Sequence, residues 1–338
     1  MEIKYEFVEN DTKEVDGRIL RRIRSVRDFG DVYADRLGGY IEIEENLSHS
    51  CLAWVYDDAM VYGNAKVEED ASVSMKAIIR DHAMVRGRAH IWGDAIVQDM
   101  ALVTGNALVG GWARICGQST VEGAALVNDR ACLFGKSSVR EAARVYGNAE
   151  LSEAARVYGN ALVFGLARIS GFSQVYGDST VYGDAEITGN AMIFDNASVY
   201  GGAKIGGGAA VLHNAIVCGD AQVYGNSRVS MYAEVFGAAK VLDNAHVTDM
   251  ALVYDEAHVG GNSRIKNNAC VHGQAQVVGN SVVGDRATVR EKACVSGSAK
   301  IGGGLIVTGD SQLHDAASVY DYERSVNDDA RAPTDRTA

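Results

Sequence analysis

The chain of 338 residues contains a single proline, Pro333, close to its end. Every residue before it can donate its backbone N–H to a hydrogen-bonded ladder. Six cysteines, Cys51, Cys116, Cys132, Cys218, Cys270 and Cys294, form no CxxC pair and no metal-ligand spacing. Scattered free thiols suit a reducing compartment, and a cytoplasmic location is the expectation. No apolar run approaches the ~18 residues of a membrane helix. The start, residues 1–15, is charged and lacks the apolar stretch of a secretory leader. Basic residues are in the minority, 32 Lys and Arg against 44 Asp and Glu, for a net charge of −12. That balance argues against nucleic acid or an anionic membrane surface as a partner.

What the chain does have is a lattice. Forty-five Val, Ile or Leu residues stand six apart from Val55 to Val319 without a slip. A second register, four residues after each aliphatic one, runs from Ala59 to Ala317. Of its 44 positions 43 are Ala or Ser, Leu305 being the exception. In Ala59-Met60-Val61-Tyr62-Gly63-Asn64, Ala59 and Val61 are two apart and share a strand face. Both must point inward, because only these registers are uniformly small or aliphatic. Met60 and Tyr62 then point outward. The bend falls on the last two positions, with Gly at 26 of 44 in the Gly63 register and Asn or Asp at 19 of 44 in the Asn64 register. Both residue classes tolerate left-handed backbone conformations.

Six residues make one wall and one corner, and three walls close a triangular coil of about 18 residues. The prediction is an all-β fold, a single-stranded parallel β-helix of about 15 coils, roughly 70 Å long at the usual strand spacing. A repeat array of this kind escapes ordinary domain-size scaling, since each repeat touches only its neighbours. The left hand follows from the hexapeptide signature, as an exception to the right-handed crossover rule. Residues 1–52 are expected to form a small N-terminal β cap over the exposed end of the solenoid. Within it, Ile3–Glu9 and Arg18–Val26 read as strands joined by a turn at Asp16-Gly17. Phe29 to Leu52, with Gly38-Gly39, reads as loop and short strand. Residues 53–320 are the array, and 321–338 read as a flexible tail.

Outward residues 18 apart stack on the same wall. On the first wall they include Trp54, Tyr56, Trp92, Tyr146, Phe164, Tyr182, Tyr200, Phe236 and Tyr254, with Arg144, Glu234 and Arg290 as the few charges. Its neighbouring corner is Gly at 147, 165, 183, 201, 219 and 237, which leaves the aromatic residues little side-chain cover. An apolar stripe of this kind predicts burial against a partner protein or another copy. The competing reading is that the rings stabilise the sheet by stacking alone. The second wall is mixed and mostly polar. The third carries Lys66, Arg86, Arg140, Arg156, Arg228, Arg264, Lys266 and Lys300 against Glu68 and Glu122.

Catalytic chemistry is hard to place on this lattice. His90, His246 and His258 share a phase but lie on three different walls, so no metal triad emerges within one chain. No Ser–His–acid set stands out either. The serines mostly fill the small inward register, as at Ser119, Ser173 and Ser227. Gly201-Gly202 and Gly206-Gly207-Gly208 fall at bends and precede no helix, unlike phosphate-binding loops. No cofactor is expected.

The lattice V/I/L-x-G/D-N/D-A/S-x resembles the hexapeptide-repeat superfamily of left-handed β-helix proteins over residues 55–320. A closer resemblance runs from Leu20 to Ala65 through Asp28-Phe29, Asp31-Val32, Gly38-Gly39, Asn46-Leu47-Ser48 and Trp54-Val55-Tyr56-Asp57. This stretch is similar to the opening of bacterial YdcK-like proteins, classed as transferases, and of phage or prophage hexapeptide-repeat proteins. The superfamily implies trimeric acyltransferases that use acetyl-CoA or acyl carrier protein, with the site between subunits. Those enzymes interrupt the coil with a loop and position a His as base. Here the coil is unbroken and no His matches, so the resemblance carries the fold over and no catalytic residue. The leading expectation is a non-catalytic solenoid that scaffolds or binds and associates through its aromatic wall. An acetyl-CoA-dependent acyltransferase is the alternative.

Overall fold

A computed structural model of the chain describes residues 2–315, 318–321 and 325–326. By its internal contacts the chain divides into two compact units, Met1–Ser170 and Gly171–Ala338. Each is a three-walled parallel β-solenoid. In the first, rungs such as Trp54–Val55, Met60–Val61 and Lys66–Val67 follow one another around a coil. Each pairs in parallel with the rung 18 residues on, Trp54 with Ser72, Met60 with Ile78 and Lys66 with Met84. The second unit repeats the pattern, as in Thr180 with Ser198 and Glu186 with Lys204. Among the described residues helix is confined to one 3-10 turn, Glu44–Asn46.

The inward registers behave as their composition requires. Ala59, Val61, Ala65 and Val67, and their counterparts as far as Leu313, are buried. Each outward residue donates its N–H to an inward carbonyl of the next coil, as Met60 does to Ala77 and Tyr62 to Ile79. An inward serine fits the small register because its hydroxyl finds a local acceptor. Ser227 Oγ, for example, donates to the Tyr224 carbonyl at 2.8 Å.

All 44 residues of the Gly63 register, from Asp57 to Asp315, have a positive φ, whereas among the described residues none of the Asn64 register does. The left-handed residue is therefore the first of the two. Where it is not glycine it is usually an acid, and the carboxylate has a task. Asp99 accepts the N–H of Gly117 at 2.7 Å, Asp243 that of Gly261 at 2.8 Å, and Asp249 that of Asn267 at 2.8 Å. These corner N–H groups receive no carbonyl from the ladder. An acid at a corner accepts the donor 18 residues ahead, which offsets the ~1–2 kcal/mol cost of left-handed backbone. Asp249→Ala should accordingly cost about 1–2 kcal/mol. Asp249→Gly should cost less, because glycine relieves the backbone. Urea midpoints of the three proteins check the order, and an alanine variant as stable as wild type contradicts it.

The N-terminal segment does more than close an end. Strand β1 (Tyr5–Val15) pairs antiparallel with β2 (Arg18–Ser25) around the Asp16-Gly17 turn. Strand β3 (Leu37–Ile41) pairs antiparallel with β2 and parallel with Met60–Val61. Gly38 and Gly39 thus lie in the short strand of this stretch. A Cβ on Gly39 would stand 2.5 Å from the Ala59 carbonyl oxygen, so only glycine lets β3 approach this closely. Leu47 bridges Val67 on the third wall. Ile41 and Leu47 therefore belong to the inward lattice, and the first coil begins ahead of residue 53. The hairpin also folds over outer faces. Leu20 packs with Tyr40 and Tyr62, while Tyr5 and Phe29 meet the Trp54 ring edge-on at 6.2 and 5.4 Å.

At the other end, Ser325–Val326 pairs with Ile306–Val307, nineteen residues apart where the rungs from Trp54 to Ser318 stand eighteen apart. The rest of the expected tail lies outside the described residues, apart from Asp321 in the strand Ser318–Asp321.

Candidate functional surface

The nine first-wall aromatic residues fall into three groups. Trp54 and Tyr56 are covered by the chain's own N-terminal segment. Trp54 is fully buried. Tyr56 donates to Asp31 at 2.7 Å and lies under the Arg36 guanidinium, 5.1 Å from the ring centre. Burial, then the hydrogen bond to Asp31, pushes its phenol well above the usual range. Trp54 is therefore removed from the open surface, while Tyr56 stays half-buried. The signal was the six-residue spacing of Ile41 and Leu47, which carries the lattice back beneath the cap. Trp92 forms the second group. It stacks on His90 at 5.3 Å and lies across Gly110, where a Cβ would be 2.1 Å from the indole.

The remaining six residues form flat stacks. In the first unit Tyr146 and Phe164 are 5.0 Å apart and 1° from parallel. In the second, Tyr182 and Tyr200 stack at 4.8 Å, and Phe236, Tyr254 and His272 form a three-ring stack at 4.8 and 4.7 Å. His272 stands 18 residues after Tyr254, so the lattice places it, although a histidine is easily passed over among aromatic residues. All these rings are half-buried. Their faces are spent on one another, with each pair contributing about 0.5–1.5 kcal/mol beyond area. Their edges and hydroxyls remain outward beside corner residues Gly183, Gly201, Gly219 and Gly237. Burial raises the Tyr254 phenol, and the adjacent Cys218 thiol together with burial raises that of Tyr200.

The third-wall cations divide differently. In the first unit Arg140 is compensated by Glu122 at 3.1 Å, and Arg156 is exposed. In the second unit Arg228, His246, Arg264, Val282 and Lys300 occupy successive rungs of one column, with Lys266 beside it.

The structure also brings together a pair that sequence reasoning missed. Ser72 Oγ lies 2.6 Å from His90 Nδ1 across adjacent first-wall rungs. Burial lowers the His90 pKa, which favours the neutral imidazole. A hollow of about 270 Å³ adjoins the pair, lined by Asp31, Arg36, Tyr56, Asp57 and Ser74. The spacing of 18 was the available signal. Ser296 and His314 make the same contact on the second wall, so rung adjacency alone accounts for it. Among the described residues no group of three or more His, Cys, Asp or Glu side chains is placed to hold a metal ion. Among the described residues no helix is long and apolar enough to cross a membrane. No protein-family model matches the chain, and no curated protein matches it.

Proposed function

We propose that this chain is a non-catalytic, left-handed β-solenoid that acts as a scaffold or binding protein in the cytoplasm, and that its copies associate through the first wall. The observation that carries the reading is the pair of half-exposed stacks in the second unit, Tyr182 with Tyr200 and Phe236 with Tyr254 and His272. Stacked rings present a flat, pre-ordered surface that loses little side-chain entropy on docking, and tyrosine suits a surface that is wet on one side only. The glycine corner beside them lets a partner approach. In the Tyr182→Asp/Tyr200→Asp variant, sedimentation should report the mass of one chain, with wild type at a multiple of it. An unchanged mass rejects association through this wall.

One observation favours acyl transfer as a second reading. His90 has its pKa lowered by burial and is hydrogen-bonded to Ser72. Calorimetric titration with acetyl-CoA separates the two. Saturable heat abolished by His90→Gln supports the enzyme, and no heat from an associated wild type supports the scaffold.

A further inference from the structure

A second surface stands out by its charge, on a different wall from Tyr182, Tyr200, Phe236 and Tyr254. Cations on these walls are often set one rung from an acid, as in Arg140 with Glu122 at 3.1 Å, Arg168 with Glu150 at 3.8 Å and Lys204 with Glu186 at 3.4 Å. The third wall of the second unit breaks that rule. Arg228 pairs in register with His246, and His246 with Arg264, so a cation, an imidazole and a cation stand on consecutive rungs. Among the described residues none of Arg228, Arg264, Lys266 and Lys300 has an ion-pair partner. The nearby corner acids are already engaged, with Asp243 accepting from Gly261, Asp249 from Asn267 and Asp285 from Gly303. His246 registers the uncompensated field, since burial and then the two arginines lower its pKa.

The spacing narrows the ligand. Arg228, Arg264 and Lys300 recur at every second rung of one column, which is about 10 Å at the usual strand spacing. Beside the column runs an asparagine ladder. The Asn226 amide donates to Asn244 at 3.3 Å, Asn244 to Asn262 at 3.1 Å and Asn262 to Asn280 at 2.9 Å. Each of these amides spends one N–H on its neighbour and keeps the other for a ligand. On the opposite flank the Tyr232 ring is 63 % exposed, a platform on which the C–H face of a sugar ring can lie. Sparse cations, a row of neutral amides and one aromatic plate match a polymer with widely spaced anions and many hydroxyls. They do not match DNA, which carries one charge per ~1.7 Å and would also meet a chain of net charge −12.

We propose that the third wall of the second unit binds an extended acidic polysaccharide along the column Arg228–His246–Arg264. Carboxylates of the polymer meet Arg228, Arg264 and Lys300, and its hydroxyls meet the asparagine ladder. The test is calorimetric titration of the full chain with an oligogalacturonate. A neutral oligosaccharide of equal length and a single-stranded oligodeoxynucleotide of equal charge serve as comparisons. The expected result is saturable binding of the uronate oligomer alone, weakened at least about tenfold in Arg228→Gln/Arg264→Gln by the loss of two charge-assisted contacts. Binding should be unchanged in Arg140→Gln/Arg156→Gln, which removes the same charge from the first unit. Failure of wild type to bind the uronate oligomer overturns the proposal. So does equal loss in both double variants, or tighter binding of the oligodeoxynucleotide. The substituted side chains are exposed, and an unchanged thermal transition of each variant confirms that folding is not the cause.

Discussion

Exchange of Asn46 for leucine should destabilise the N-terminal part of the first unit by about 3–5 kcal/mol, the largest single-residue effect expected in this chain. Asn46 is fully buried, and its side chain makes four hydrogen bonds. Its Oδ1 accepts the N–H groups of Glu42 at 3.1 Å and Ile43 at 2.9 Å, and its Nδ2 donates to the Gly63 and Ala65 carbonyls at 3.0 and 2.9 Å. One coil later the equivalent carbonyls, those of Asp81 and Ala83, accept backbone N–H groups from Asn64 and Lys66. The Asn46 amide therefore stands in for two backbone donors that the incomplete first coil lacks. Leucine has nearly the same volume but leaves the buried Ala65 carbonyl and the part-buried Gly63 carbonyl and Ile43 N–H without these partners, at about 1–3 kcal/mol each. Asn46→Asp should be no better, because it sets an oxygen against two carbonyl oxygens. The measurement is urea unfolding followed by Trp54 fluorescence, with Trp92 and Trp112 replaced by phenylalanine. A loss under about 0.5 kcal/mol, ordinary for a surface change, rejects the capping role.

The second large effect depends on pH. Lys4 is fully buried, its ammonium donates to the Ala53 carbonyl at 2.7 Å, and it lies 5.1 Å from the centre of the Phe29 ring. Burial, with the nearby Arg27 charge, lowers its pKa to about 8, against about 10.4 in an open chain. Between those values the unfolded chain binds more protons than the folded one, so stability rises with pH. Below pH 8 both states carry the charge and the full penalty applies. Above about 10.4 both are neutral and it is gone. The span is worth ~3 kcal/mol at 1.36 kcal/mol per pKa unit. Tyr5 and Cys116, raised by burial, act in the opposite direction at high pH. The quantity to measure is therefore the difference between wild type and Lys4→Met, from urea midpoints between pH 7 and 11. A difference that stays flat across that range removes Lys4 as the cause.

Both residues sit where the lattice was hardest to follow. Ile41 and Leu47 keep the six-residue step, but eight residues separate Leu47 from Val55. Those two extra residues hide the first coil from a search for unbroken periodicity. They also explain why Trp54, outward by its phase, ends up buried. The burying residues, Tyr5 and Phe29, are far from it in sequence and follow no repeat. The corner acids were in plain view as substitutes for glycine in one register. Their hydrogen bonds were not, because the acceptor and its N–H stand 18 residues apart and meet only when the coils stack. The Ser72–His90 contact has the same origin.

By itself the sequence determined the period, the inward and outward faces, and the division of outward residues among three walls. It could do so because each coil touches only its neighbours, which reduces packing to a one-dimensional pattern that composition can express. Tertiary structure decided what that pattern does not encode. It placed Phe29 against Trp54 and Asp31 against Tyr56, from the segment that follows the hairpin. It paired some cations with acids and left Arg228 and Arg264 stacked around His246 without one. Side-chain reach and non-repeating contacts depend on distances in space, and a repeat written along the chain carries no measure of those.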